Sequence, residues 1–178
     1  MADRYLALLR SINVGGRRVT GPELVAVFDG LGLGDCTTFL TSGNVIFSTE
    51  SPVTEETIAT GLGEALGYEV PVFLRSADQV RSLAGSTTMP APVVEASAGK
   101  LQLISLKTEP PPATVDEVLT HSTTDDALAF ENRHLWWLPK GDMSASDLDL
   151  KAIERLTGPA TIRTRNTINR IAAQFFAD

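Results

Sequence analysis

Tyr5-Leu-Ala-Leu-Leu-Arg-Ser-Ile-Asn-Val-Gly-Gly16 is a mostly apolar run, broken at Arg10 and Ser11 and closed by two glycines. Apolar residues at odd and even positions alike are what a strand buried on both faces requires. Immediately after it, Thr20-Gly-Pro-Glu23 has the spacing of a capping box with proline in the first turn. Leu24, Val27, Phe28 and Leu31 then share one helical face before Gly32. A strand followed by a helix is thus the opening statement of the chain.

The pattern continues outward from that pair. Thr37 to Thr41 and Val45 to Ser48 are β-branched and aromatic segments on either side of Ser42-Gly43-Asn44, which predicts a hairpin. Ser51-Pro52 is expected to open a helix with Ile58, Leu62, Ala65 and Leu66 on its apolar stripe, and Gly67 to end it before a strand from Val70 to Leu74. The order is βαββαβ. A connecting helix is predicted from Ser76, with Gln79 completing its capping box and Gly85 stopping it.

Residues 86–99 are rich in Ser, Thr, Pro and Ala without a sustained period, which predicts a surface linker. The same order then repeats: a strand from Leu101 to Leu106, a short helix capped by Thr114 and Glu117, and a hairpin from Ala127 to Leu138 turning at Asn132-Arg133. A helix with Leu148, Ile153 and Leu156 and a strand near Thr161 to Arg163 complete it. Ile168, Ile171, Ala172, Phe175 and Phe176 form the packing face of a last helix. The expected fold is α+β, with a first βαββαβ unit and connecting helix over 1–85, a linker over 86–99, and a second unit with a C-terminal helix over 100–178.

An isolated βαββαβ sheet commonly leaves one face open, as RNA-binding domains of that topology do. Here Leu6 and Leu8 point one way while Tyr5, Ala7 and Leu9 point the other, and the adjacent Trp136 and Trp137 must point to opposite faces. The second face is therefore expected to be covered, by the other repeat, the C-terminal helix or a second subunit. Nothing in the sequence excludes a homodimer.

The 178 residues are 43% hydrophobic and 21% charged, enough to bury a core, with a formal net charge of −7. That charge argues against general binding to nucleic acid, whose phosphates demand a basic surface. It is unevenly spread: Arg4, Arg10, Arg17 and Arg18 crowd the start, Arg163, Arg165 and Arg170 the end, and nine acids face three bases over residues 116–154. No run is long enough to span a membrane and no leader precedes the first strand, so a cytoplasmic location is expected. Cys36 is the single cysteine, which rules out an internal disulfide.

Three segments have residue types suited to a ligand. Arg10, Asn13, Gly15 and Gly16 place donors and a permissive backbone just past a strand end, a setting for close approach to an anion and equally for a plain turn. Neither a P-loop nor a dinucleotide fingerprint is present. Ser42, Gly43 and Asn44 offer a hydroxyl and an amide from the hairpin. Arg163, Asn166 and Thr167 sit where a strand opens into a helix, whose free N–H groups favour an anion. The histidines, His121 and His134, lack a G-x-S-x-G elbow to serve, so no hydrolase triad is predicted, and no metal or cofactor is expected. These residues point to a small anionic ligand of nucleotide or phosphate type, with a nucleic-acid or protein interaction module, or an enzyme with an Arg/Asn electrostatic site and no recognised base, as the other readings.

Taken together, residues 5–16, Leu40-Thr-Ser-Gly-Asn-Val-Ile-Phe47, Leu66-Gly-Tyr-Glu-Val70 and Arg163-Thr-Arg-Asn-Thr-Ile168 resemble the signature of the bacterial family called domain of unknown function 1697, DUF1697. The resemblance spans essentially the whole chain. It implies two ferredoxin-like halves and brings no activity. Two departures from the family pattern are Ser11, where glycine is usual, and Asp147, where a lysine is common.

Overall fold

The computed structural model describes residues 2–41, 43–85 and 88–177. Contacts divide the chain into two units, Met1–Ser82 with Ile171–Asp178, and Leu83–Arg170. Each has one four-stranded antiparallel sheet, and seven α-helices lie among the described residues, so the fold is α+β. None of those helices is long and apolar enough to cross a membrane.

The first unit runs β1 (Asp3–Leu9), α1 (Gly21–Gly30), β2 (Gly34–Thr38), β3 (Asn44–Thr49), α2 (Glu55–Leu66), β4 (Val72–Ser76), and its sheet order is β2-β3-β1-β4. The start of α1 is the reciprocal cap its sequence encodes: Glu23 N donates to Thr20 Oγ1 at 3.4 Å, and Thr20 N to Glu23 Oε2 at 2.7 Å. Its Leu24 and Phe28 are buried with Ile58 and Leu62 of α2 against one sheet face, where Tyr5, Ala7, Leu9, Val45, Phe47, Val72 and Leu74 point. Removing a ring such as Phe28 from that core would cost about 3–5 kcal/mol. Leu6, Leu8, Ile46 and Phe73, on the opposite face, are buried as well, within a single chain.

Two boundaries differ from the sequence expectation. β1 ends at Leu9, whereas the apolar run from Tyr5 to Val14 predicts a longer strand, because the backbone turns left-handed at Ser11 and Asn13. The second helix starts after Thr54, whose Oγ1 accepts from Thr57 N at 3.1 Å, and not at Ser51-Pro52. Ser51 is occupied in a local turn, its N–H donating to Thr49 Oγ1 at 3.1 Å.

After β4 comes α3 (Ala77–Gly85), which carries the anticipated capping box: Ser76 N donates to Gln79 Oε1 at 3.0 Å and Gln79 N to Ser76 Oγ at 3.4 Å. Within the stretch read as a plain linker, Ala91–Ala96 forms a short surface helix, α4. The second unit then runs β5 (Gln102–Leu106), α5 (Pro112–Leu119), β6 (Asp126–Glu131), β7 (His134–Pro139), α6 (Leu150–Thr157), β8 (Ala160–Thr164), with sheet order β6-β7-β5-β8. The last helix, α7, covers Arg165–Phe175. The cap expected of Thr114 is absent. α5 begins two residues earlier, at Pro112, whose fixed φ suits the first helical position and which has no N–H to satisfy.

The two sheets repeat one another in register. Leu6 stands between Ile46 and Arg75, and Leu103 between Trp136 and Arg163. Leu9 N donates to Gly43 O at 2.7 Å and Leu106 N to Arg133 O at 3.0 Å. The tryptophans do take opposite faces. Trp137 joins the helix-side core and donates its indole N–H to Asp126 Oδ1 at 2.7 Å, whereas Trp136 donates to Glu131 Oε2 at 2.9 Å.

Where α4 leads into β5, Ser97 Oγ donates to Pro139 O at 2.8 Å and accepts from Gly99 N at 2.9 Å, which draws Gly99 against the end of β7. A Cβ at Gly99 would land on the Pro139 carbonyl oxygen, whereas one at Gly141 would meet nothing within 4 Å. Gly99→Ala is therefore expected to lower stability by at least about 2 kcal/mol. Gly141→Ala should stay within about 0.5 kcal/mol of the parent in equilibrium urea unfolding. Equal midpoints for the two variants would show that the contact is absorbed without cost.

Candidate functional site

Antiparallel pairing of β1 with β3 places Leu8 opposite Asn44, so the loop after β1 and the loop between β2 and β3 rise from the same end of the first sheet. In the first loop Ile12 is buried in the core between two left-handed residues, Ser11 (φ 64°) and Asn13 (φ 60°). Asn13 joins the pieces. Its Nδ2 donates to Thr41 O at 3.0 Å, and its Oδ1 accepts from Val19 N at 2.6 Å. Gly43 has to be glycine twice over, because its φ is +72° and a Cβ there would lie 3.0 Å from Leu9 Cβ.

These loops and the first turn of α1 enclose a cleft of about 840 Å³, within the range of small-molecule pockets. Among the described residues its lining carries two charged side chains, Arg17 and Arg18, and no carboxylate, histidine or cysteine. The Arg17 guanidinium lies 4.1 Å above the Tyr68 ring, a cation–π contact that limits where the charge can go. The Tyr68 hydroxyl is buried with no hydrogen-bond partner, so the ring is the part that serves Arg17. The helix terminus adds less than its position suggests. Thr20 and Glu23 use two of its donors on each other, and Pro22 has none. Hydrogen bonds from the Thr20 backbone and hydroxyl hold the Glu23 carboxyl below the usual range.

Of the residues singled out in the sequence, Asn13, Gly16 and Gly43 line this cleft. Gly15, left-handed, belongs to the same loop, and half-buried Arg10 stands at its base with its N–H on Pro71 O at 2.9 Å. Asn44 is fully buried, and its Nδ2 donates to Phe39 O at 2.8 Å across the hairpin loop. Ser42 lies outside the described residues. Arg163 belongs to the second unit, as do Asn166 and Thr167. Arg163 is buried, donates to Thr161 Oγ1 at 2.9 Å and Ile162 O at 2.8 Å, and is held down to about 10 by desolvation. Thr167 N donates to Thr164 Oγ1 at 3.1 Å, capping α7, and Asn166 is exposed. Arg17, Arg18, Thr38, Leu40 and Thr41 are among the lining residues that carry no site assignment from the sequence. The signal for the arginines was their place directly after Gly15-Gly16.

The second unit has an acidic hollow of about 690 Å³ lined by Asp125, Asp126, Asp142, Asp147 and Asp149. Most of these carboxylates already have work: Asp126 accepts from Trp137 and Ser146, Asp125 pairs with Lys140 at 2.9 Å, and Asp142 and Asp149 cap helical turns. Elsewhere, Cys36 is half-buried with its thiol toward Leu33 O at 3.5 Å. Burial first, then the Asp29 hydrogen bond and charge and the charge of Asp35, push that thiol up to about 12.

Asn13→Ala should cost about 2–3 kcal/mol, since it removes both bridging bonds and leaves alanine in a left-handed backbone. Asn13→Gly, free of the backbone cost, should fall between it and the parent in urea unfolding; alanine and glycine variants of equal stability would deny any strain at Asn13. The folded state keeps a proton on Cys36 that the unfolded chain releases near 9.0, so this thiol favours the fold below that pH and ceases to do so toward about 12. At pH 8.5 its alkylation by iodoacetamide is expected to be at least about 100-fold slower than that of free cysteine, a gap that denaturant should abolish.

The fold has a solved counterpart. The structure of conserved bacterial protein SP0830 from Streptococcus pneumoniae is similar to this one with a TM-score of 0.70, at 23% sequence identity over 99% of this chain and 100% of that chain. A likeness at that identity speaks for the fold alone. No curated protein matches the sequence. Residues 2–136, which include both loops of the cleft, match the family described as "Protein of unknown function (DUF1697)", and the chain belongs to that family.

Proposed function

We propose that this protein binds a small anionic ligand, of nucleotide or phosphate type, in the cleft at the end of β1. The observation that supports this reading is the charge of the lining: Arg17 and Arg18 face the cleft with no carboxylate among the lining side chains, on a chain whose net charge is −7. Positive potential confined to one concave place on an acidic protein favours a compact anion over an extended polyanion. Lack of a titratable base in the lining favours binding over acid–base catalysis. On this reading Arg17 and Arg18 meet the anion, and Asn13, Gly16, Thr41 and Gly43 shape the cleft around it. The strand order β2-β3-β1-β4 within an antiparallel βαββαβ unit supports reading each half as ferredoxin-like, and a lone high-pKa thiol suits a cytoplasmic protein.

A thermal-shift series with inorganic phosphate, pyrophosphate, adenosine mono-, di- and triphosphate and citrate tests this. A ligand at 100 times its Kd adds about 2.7 kcal/mol, which for a protein of this size raises Tm by roughly 5–10 °C. That shift should vanish in the Arg17→Ala/Arg18→Ala double variant, whose own Tm changes little, and should shrink at high salt. Failure of every anion to stabilise the protein, or a shift unaffected by the double variant, overturns the proposal.

A further inference from the structure

We infer that the anion is one end of an amphiphile: the cleft takes a phosphate carried on a flat, partly apolar body, with a mononucleotide as the type, in preference to free phosphate or a sugar phosphate. This rests on the anion-binding reading above and adds the chemistry of the rest of the ligand.

Leu40 carries the argument. It lines the cleft, is 52% exposed, and holds a left-handed backbone at φ 59°. About half of the side chain stays uncovered, and its Cβ disfavours the left-handed backbone, so a leucine is a costly choice there. The hairpin enforces the arrangement: Phe39 N donates to Asn44 O at 3.0 Å and Asn44 Nδ2 returns to Phe39 O at 2.8 Å, which closes the chain just before Leu40. Strain held in place at the rim of a cationic cleft points to a job for the side chain outside the fold itself. Leu24, buried in the core, also lines the cleft, and Thr38 and Thr41 line it with hydroxyl-bearing residues suited to polar atoms of the same ligand.

The second unit shows what this connection looks like when built to a minimum. Two residues, Asn132 and Arg133, separate the paired Glu131 and His134, whereas four, residues 40–43, lie inside the bond from Phe39 N to Asn44 O. Arg133 there turns back to donate to Lys107 O at 3.2 Å, tying the hairpin to the end of β5. The fold therefore closes this hairpin with two residues, and the longer loop that presents Leu40 is an addition. A cleft of about 840 Å³ likewise exceeds what a five-atom phosphate ion fills.

Isothermal titration with adenosine monophosphate, phenyl phosphate, ribose 5-phosphate and inorganic phosphate, on the full chain, separates the terms. Adenosine monophosphate and phenyl phosphate are expected to bind at least about tenfold tighter than the two ligands without an aromatic body. Leu40→Asn is the informative variant, because asparagine accepts a left-handed backbone. It should leave Tm equal or higher, keep inorganic phosphate affinity, and weaken adenosine monophosphate and phenyl phosphate about five- to tenfold. Equal affinity for all four ligands, or aromatic ligands that bind Leu40→Asn as tightly as the parent, overturns the amphiphile while the anion site stands. Binding of none of the four, or binding indifferent to Arg17→Ala/Arg18→Ala, overturns both.

Discussion

Leu9 N donates to Gly43 O at 2.7 Å, the last rung between β1 and the hairpin, and the geometry above it follows from that bond. An antiparallel pair puts the end of one strand beside the start of its partner, so two loops separated by roughly thirty residues of chain emerge together. Gly43 can approach Leu9 so closely only because it lacks a Cβ. Asn13 then spans the gap to Thr41, and the first turn of α1 closes the remaining side. A single glycine contact thus decides that the arginines after Gly16 and the leucine of the hairpin share one space.

The same rung exists in the second unit, from Leu106 N to Arg133 O, with a different outcome. Its hairpin is short, and its arginine is spent on Lys107 O. What the halves share lies deeper, in the register of their sheets and in a pair of buried arginines, Arg75 and Arg163, at matching positions of β4 and β8. Each guanidinium turns back on the preceding carbonyl, Leu74 O at 2.7 Å and Ile162 O at 2.8 Å. A buried cation costs several kcal/mol unless it is well bonded. Arg75 has Glu55 at 3.9 Å, and for Arg163 the remaining cost appears as a pKa held down to about 10. A geometry of that expense, present in both units, belongs to the architecture of the repeat; the cleft belongs to one half of it.

Legibility in the sequence followed the range of the interaction. The capping boxes at Thr20–Glu23 and Ser76–Gln79, the turn at Asn132-Arg133 and the opposed tryptophans are set within a few residues, and pattern reading found them. α5 was misplaced because Pro112 is a better first residue than Thr114 is a cap, a competition between two local rules. The end of β1 was misplaced because Ser11 and Asn13 turn left-handed around Ile12, which is pulled into the core by residues far along the chain. At the cleft, Asn13, Gly16 and Gly43 announced themselves by type. Leu40 did not, since a leucine in a hairpin carries no mark of an exposed, left-handed position, and Arg17 and Arg18 stood only as part of a basic start of the chain, because Tyr68 and the hairpin are distant from them in sequence.

That division explains why a cleft can be added to such a fold at little structural cost. The core of the first unit is set mainly by Phe28, Phe47, Ile58, Leu62 and other residues of the strands and helices, with Ile12 as the side chain that the loop after β1 adds to it. The end of α7 is held independently, where Arg4 and Arg81 donate to Phe175 O and Phe176 O, carbonyls that a helix end leaves unpaired. With most of the core and the chain end secured elsewhere, the loops can hold residues that destabilise them: left-handed Leu40, whose backbone costs about 1–2 kcal/mol against a right-handed one, and two adjacent arginines. Evolutionary tolerance of such residues needs a rigid platform beneath them, and the rung at Leu9 and Gly43 is where platform and loops meet.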